Sequence, residues 1–105
     1  MIKTTIIGRA TQDFQLRKDI EDRSWGTFTV ASNRKYTKKG EDEPRVDYIS
    51  IYVSGEFAEL CARNIKKGTQ VAATGDLEIN TITGKDGKTY TNVELRNCEV
   101  QWFSK

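Results

Sequence analysis

The chain has 105 residues but no histidine, one proline and two cysteines. A zinc site needs about four nitrogen or sulfur ligands, and Cys61 and Cys98 stand alone in distant parts of the sequence. Each has apolar neighbours, which is typical of a small buried side chain. No phosphate-cradling glycine loop and no nucleophile beside a base can be recognised. We therefore expect a protein that is not an enzyme, with no metal, no cofactor and no small-molecule substrate.

Long hydrophobic runs are also missing. No run of apolar residues is longer than four, and the N-terminus lacks the charged-then-apolar pattern of a signal peptide. Hydrophobic residues make up 36% and charged residues 30% of the chain, which is typical of a well-solvated surface around one modest core. The prediction is a single domain over residues 1–105, located in the cytoplasm and without a membrane partner.

A strong charge of one sign is absent from the chain as a whole. Seventeen basic and fifteen acidic residues leave a net charge of +2, which is too weak to indicate nucleic-acid binding. The charge is concentrated locally, because Arg34, Lys35, Lys38 and Lys39 surround Tyr36. Such a segment is either the solvated tip of a hairpin or part of a nucleic-acid site. The segment alone does not decide between the two.

The segment Val46–Gly55 shows the clearest strand pattern. Ile49, Ile51 and Val53 alternate on one face, which is the signature of a core-facing strand. The opposite face carries Tyr48 and Tyr52, separated by a serine. Two rings on a non-core face either stabilise the sheet by cross-strand packing or bind a ligand, and the segment alone leaves both interpretations open.

The order of the predicted elements indicates the fold. Apolar residues at helical spacing predict one helix over Glu56–Lys67, with Ser54 as its N-cap and Phe57, Leu60, Cys61 and Ile65 on its apolar face. Five strands surround this helix in sequence: Ile2–Ala10, Trp25–Arg34, Val46–Gly55, Gln70–Ile79 and Thr91–Val100, with a short alternating piece at Phe14–Arg17 and a hairpin arm at Asn80–Tyr90. A helix between the third and fourth of five strands predicts an all-β OB-fold, a partly open Greek-key barrel.

Three local irregularities are also predicted. The apolar phase changes between Ile6 and Ile7, so the first strand should bend at Gly8 and serve two parts of the sheet. Gly75 should face inward, where small residues allow tight curvature. A second phase change after Asn97 predicts a β-bulge.

The ordered series of segments resembles the bacterial and phage single-stranded DNA-binding protein family over nearly the whole chain. The matching pieces are I-I-G-R, Q-L-R, F-T-V-A-S-N-R-K-Y, D-Y-I-S-I-Y-V-S-G, I-K-K-G-T-Q-V, T-G-D-L and K-D-G-K-T-Y-T-N-V-E-L. The resemblance implies that bases stack on Tyr36 and Tyr48 and that Lys67 lies near the bound strand. Tyr52 shares the face of Tyr48, and the candidate phosphate contacts are Arg9, Arg17, Arg34, Lys35, Lys38, Lys39, Lys85 and Lys88.

The chain departs from the family pattern at several positions. Ser54 and Ile82 stand where the family often has aromatic residues, and Glu78, Asn80 and Glu56 stand where it tends to be basic. These differences predict weaker binding or a shorter footprint. The sequence also ends without the acidic tail of cellular members, so we expect either a truncated piece or a phage or mobile-element protein.

The resemblance implies sequence-tolerant binding of single-stranded DNA in replication, recombination or repair, by a nucleoid-associated homo-oligomer that is a tetramer or a dimer. Two other functions fit the same fold. One is a protein-interaction module of the primosome type, which the missing aromatic positions favour and the retained tyrosines disfavour. The other is RNA binding, because stacking does not itself read the 2′-hydroxyl.

Overall fold

The computed structural model describes residues 1–33 and 46–103. In these two ranges the chain forms one helix and six strands: β1 (Lys3–Ala10), β2 (Gln15–Lys18), β3 (Ser24–Asn33), β4 (Val46–Ser54), α1 (Glu56–Asn64), β5 (Gln70–Thr83) and β6 (Thr89–Phe103). The predicted order is confirmed, and the short piece expected near residues 14–17 is β2, which pairs with β3. None of the described helices is long and apolar enough to cross a bilayer.

The strands form one sheet that closes on itself. Their order is β1-β5-β6-β4-β3-β2, and β1 also pairs with β3, so five strands make an irregular ring with β2 at its side. All pairs are antiparallel except β4 with β6, where Ser50 lies opposite Glu94 and Ile51 opposite Leu95. The helix lies in sequence between β4 and β5. This architecture is the predicted OB-fold.

Strand β1 serves two parts of the sheet on either side of Gly8, as the sequence predicted, and this is where the ring closes. Residues Lys3–Arg9 of β1 pair with β5, and Arg9 and Ala10 pair with β3. A Cβ atom on Gly8 would overlap the carbonyl oxygen of Ala31 and lie 2.8 Å from Cγ1 of Val30. Only glycine lets the two backbones approach this closely. Ile7, which broke the apolar phase, points outward and is 61% exposed.

The core lies inside this ring and is closed at one end by the helix. Phe28, Val30, Ile51 and Leu95 are fully buried on the inward faces of β3, β4 and β6. These residues occupy the alternating positions that the sequence predicted, because side chains on a strand point alternately to opposite faces. Ile65, just after the helix, is also fully buried.

The helix differs from its prediction at both ends. It ends at Asn64 rather than Lys67, because Ile65 is extended and turns its side chain into the core. Its N-cap is Gly55, with φ of 77° and no side-chain cap, rather than Ser54. Ser54 still pairs with Trp25 as the last residue of β4, so it is not available as a cap. Leu60 was predicted on the buried face but is 41% exposed.

The predicted bulge is present on β6. Thr74 lies opposite Glu99, whereas Asp76 lies opposite Arg96, so β6 has one residue more than β5 between these pairs. Asn97 takes up the extra length with φ of 54°, a conformation that asparagine adopts more readily than most residues. Gly75 faces this bulge, and a Cβ atom there would lie 2.6 Å from the carbonyl oxygen of Arg96.

The β5–β6 hairpin forms a long arm. Both strands extend beyond their predicted ends, and pairing continues to Thr83 opposite Thr89. At the tip, Asp86 Oδ1 accepts a hydrogen bond from the backbone N–H of Lys88 at 3.0 Å, and Gly87 has φ of 80°. The Asp-Gly turn therefore forms as its sequence predicts.

Cys61 and Cys98 are free and buried. Burial raises the pKa of each thiol from 9.0 to about 11, because it disfavours the thiolate.

Since the thiolate is the reactive form, we expect neither cysteine of the native protein to react with a thiol reagent at pH 8, and both to react in denaturant. Native stability should also fall as the pH rises from 9 to 11, because the unfolded thiols ionise first. Rapid native labelling of either cysteine would contradict this account.

Candidate nucleic-acid interface

Tyr48 is the most exposed ring on the outer face of β4. It is 65% exposed and lies opposite Ala31 of β3, whose small side chain cannot cover it. The ring borders a groove of about 480 Å³ that also includes Ile7, Arg9 and Gln70. A free aromatic surface beside a cation is the arrangement that binds single-stranded nucleic acid by stacking.

A second groove adjoins the first. It has a volume of about 540 Å³ and shares Arg9 and Gln70 with the first, and it is also lined by Lys67 and Phe103. We call the two together the Tyr48 groove. Two cations that are far apart in sequence therefore line two adjoining grooves, the first of which borders an exposed tyrosine.

Lys67 is held at this groove by backbone hydrogen bonds. Its N–H donates to Asp13 Oδ1 at 2.8 Å. The adjacent N–H of Gly68 donates to the carbonyl oxygen of Ala10 at 2.8 Å. The N–H of Ala10 in turn donates to the carbonyl oxygen of Thr69 at 2.9 Å. These bonds fix the turn after the helix against the end of β1, which brings Lys67 to the same groove as Arg9.

Tyr52 has a different environment from Tyr48. The guanidinium carbon of Arg96 lies 4.3 Å from the centroid of its ring, a cation–π contact that covers one face. Tyr52 is half-buried, whereas Tyr48 is exposed. A base could stack on this face of Tyr52 only after Arg96 moved.

Two carboxylates hold Arg96 in this position. Its Nη2 lies 2.6 Å from Glu94 Oε2, and its Nε lies 2.9 Å from Glu78 Oε2. Partial burial alone would lower the pKa of Arg96, but the two carboxylates raise it above its ordinary value. Two acids against one base make this part of the outer face unfavourable for phosphates.

The other predicted site residues lie apart from the groove. Arg17 is exposed on β2, opposite Trp25, and Lys85 and Lys88 are exposed at the tip of the arm. The structure thus brings together Tyr48, Arg9 and Lys67. The predicted residues of the basic loop fall outside the described residues: Arg34, Lys35, Tyr36, Lys38 and Lys39.

Two exposed aromatic residues were not among the predicted site residues. Phe103 lines the Tyr48 groove as the last residue of β6. Tyr90, on the arm, is 52% exposed, and its hydroxyl donates to Asp86 Oδ2 at 3.0 Å. The alternation of Tyr90, Asn92 and Glu94 could have placed Tyr90 on the outer face, since the three share one parity along β6.

The model of the single-strand binding protein family matches residues 1–103 of this chain. The chain belongs to that family. A single-stranded DNA-binding protein of Caldanaerobacter subterraneus subsp. tengcongensis is 36% identical over 96% of this chain and 67% of its own length. Single-stranded DNA-binding protein 2 of Clostridium acetobutylicum is 37% identical over 98% of this chain and 77% of its own length.

Two solved structures have the same fold. The Plasmodium falciparum SSB complex with ssDNA has a TM-score of 0.79 and 19% identity, over 99% of this chain and 96% of the other. The small single-stranded DNA-binding protein of Streptomyces coelicolor has a TM-score of 0.82 and 14% identity, over 97% of this chain and 94% of the other. At such low identity the proteins share the ring and the helix while most side chains differ.

Proposed function

We propose that this protein binds single-stranded DNA with little sequence preference. The observation that carries the proposal is the exposed Tyr48 beside two adjoining grooves that are lined by Arg9 and Lys67. The groove lies beside the β3–β4 face, and the corresponding face of an OB-fold is the one that binds oligonucleotides. Family membership supports the same function, as do the names of the curated relatives and the likeness to the Plasmodium falciparum SSB complex with ssDNA.

Two physical contributions would supply the affinity. A base stacked on an aromatic ring contributes about 1–3 kcal/mol, and any base can stack because each has a π-face. Each phosphate contact on a single strand makes the logarithm of the binding constant fall with the logarithm of salt by a slope of about 0.7. With Arg9 and Lys67 as the groove cations, a modest salt dependence follows. The Glu78–Arg96–Glu94 cluster makes part of the outer face unfavourable for phosphates, which supports the expectation that the bound strand occupies only a short stretch of the protein.

The cellular role belongs to the same proposal. A protein of this kind would cover single strands and remove their hairpins during replication, recombination or repair. We expect it to act as a homo-oligomer at the nucleoid in the cytoplasm, and to bind its strand without catalysing a reaction on it.

The first test is a titration of labelled oligo-dT, with a duplex as control, at two salt concentrations. Tight binding of the single strand that weakens with salt, and much weaker binding of the duplex, would support the proposal. A matched oligo-rU compares RNA with DNA, because stacking alone does not discriminate between them. Absence of single-strand binding even at low salt would contradict the proposal and favour a protein-docking module.

A further inference from the structure

Two carboxylates lie directly opposite each other on the outer face of the sheet. Glu78 on β5 pairs with Glu94 on β6, and like charges at such a cross-strand pair destabilise a sheet. Arg96 compensates both, because its Nε lies 2.9 Å from Glu78 Oε2 and its Nη2 lies 2.6 Å from Glu94 Oε2. The guanidinium therefore cannot turn to another partner without leaving the two carboxylates to repel each other.

Glu94 fixes the position of this guanidinium. Its residue is only 7% exposed, and its Oε1 accepts a hydrogen bond from Asn92 Nδ2 at 2.7 Å. One oxygen of the carboxylate is thus held by Asn92 and the other by Arg96. Because a buried carboxylate is costly unless it is paired, the native fold retains Arg96 beside it. Glu78, which is exposed, adds the second ion pair.

Arg96 closes one end of the outer face of β4. Its guanidinium covers one side of the Tyr52 ring and lines a pocket of about 220 Å³, together with Trp25 and Ser54. We call this the Tyr52 pocket. Tyr52 lies four residues after Tyr48, which is about 13 Å along an extended strand. The face therefore has an open end at Tyr48, beside the two groove cations, and a closed end at Tyr52, where two acids accompany one base.

We propose that Glu78 and Glu94 determine where the bound strand leaves the protein: they hold Arg96 on the Tyr52 ring, so that the strand occupies the Tyr48 groove and ends before the Tyr52 pocket. This inference rests on the proposed function. The excess negative charge repels phosphates, and the guanidinium, which would otherwise suit a phosphate, is already engaged by carboxylates. Without the two acids, the same end of the face should become a binding surface, because Arg96 could then turn to a phosphate and uncover Tyr52.

The test removes both charges in one variant, Glu78→Gln with Glu94→Gln, which keeps the size of the side chains. Oligo-dT of about 16 and of about four nucleotides, the two ends of the range that an OB-fold covers, is titrated at several salt concentrations. The variant should bind the longer strand at least about 5-fold more tightly than the wild type, the lower end of the effect of one stacked base. Its logarithmic salt slope should steepen by about 0.7, the effect of one additional phosphate contact. Binding of the shorter strand should change much less, because the Tyr48 groove alone can hold it.

Glu21→Gln with Glu59→Gln is the matched control. It removes the same charge, and each of these acids also pairs with a base, Arg23 or Lys18, but they lie in the β2–β3 turn and on α1. Equal tightening by this control would overturn the inference, because the effect would then be one of net charge. Adding Arg96→Gln to the double variant should return the salt slope to the wild-type value, and a slope that stays steep would overturn the role of Arg96.

Thermal melts show which variants are folded. If the double variant does not fold, Glu78→Gln alone replaces it, since this position is exposed, and it should give a smaller gain in the same direction. Wild-type affinity and salt slope in the folded variant would overturn this inference but not the proposed function. Failure of the wild-type protein to bind either strand would overturn both proposals.

Discussion

Replacing Tyr48 by alanine should weaken binding of oligo-dT roughly 5- to 150-fold at constant salt, since one stacked base contributes about 1–3 kcal/mol. The ring is 65% exposed and lies opposite Ala31, so its removal leaves no cavity in the core. The thermal melt should therefore change little. Tyr48→Phe should keep most of the affinity, because stacking needs the ring rather than the hydroxyl. Fluorescence anisotropy with labelled oligo-dT measures both variants.

The matched control is Tyr52→Val, on the same face of the same strand. Because Arg96 covers one face of this ring, we expect its loss to weaken DNA binding much less than the loss of Tyr48. A titration over several salt concentrations separates stacking from charge. Tyr48→Ala should keep the wild-type salt slope, whereas Arg9→Ala should reduce it by about 0.7 if one phosphate contact is lost. Equal affinity losses for the two tyrosine variants would contradict the distinction between them.

Local pattern was sufficient to predict the strands and their inward faces. The alternation along Val46–Gly55 placed Ile51 and Val53 in the core and Tyr48 outside it, and the structure has all three in these positions. The irregularities at Gly8 and Asn97 could also be predicted from the sequence, because a phase change in a period-2 pattern requires a bend or an extra residue. These predictions succeed because they depend only on neighbours along the chain.

Contacts between distant strands could not be predicted in the same way. Tyr52 and Tyr48 look alike in the sequence, but Arg96 covers only Tyr52. That contact depends on the parallel pairing of β4 with β6 and on Glu78 of β5. The sequence pattern does not specify this register. The adjacency of Arg9 and Lys67 likewise depends on how the turn after the helix docks against β1.

The predicted ends of the helix were wrong for a related reason. Ser54 is a good N-cap residue by type, and Lys66 and Lys67 suit the end of a helix by charge. Pairing of Ser54 with Trp25 and burial of Ile65 override both preferences. Tertiary contacts commonly outweigh propensities of this size.

Substituting alanine for Gly8 should have the largest effect on stability. A Cβ atom at this position would overlap the carbonyl oxygen of Ala31, a backbone atom that cannot rotate away. Overpacking typically costs about 1–3 kcal/mol, and we expect the upper end because the obstacle is the neighbouring strand itself. A loss of about 3 kcal/mol corresponds to a decrease of roughly 12–24 °C in the melting temperature of a domain of this size. Thermal melts followed by circular dichroism measure this decrease.

The same substitution should also weaken DNA binding in the fraction that remains folded, because Gly8 lies where the ring closes, next to the Tyr48 groove. Ala31, the residue that a side chain at position 8 would displace, is the cross-strand partner of Tyr48, and Arg9 pairs with Ala31 in the ring. Gly87→Ala is the matched control, since Gly87 has φ of 80° but open space around its Cβ position. It should cost only about 1–2 kcal/mol of backbone strain. A Gly8→Ala protein that is as stable as Gly87→Ala and binds DNA as the wild type does would show that β1 and β3 can move apart enough to admit a Cβ atom while the ring stays closed, and that the groove does not depend on this contact.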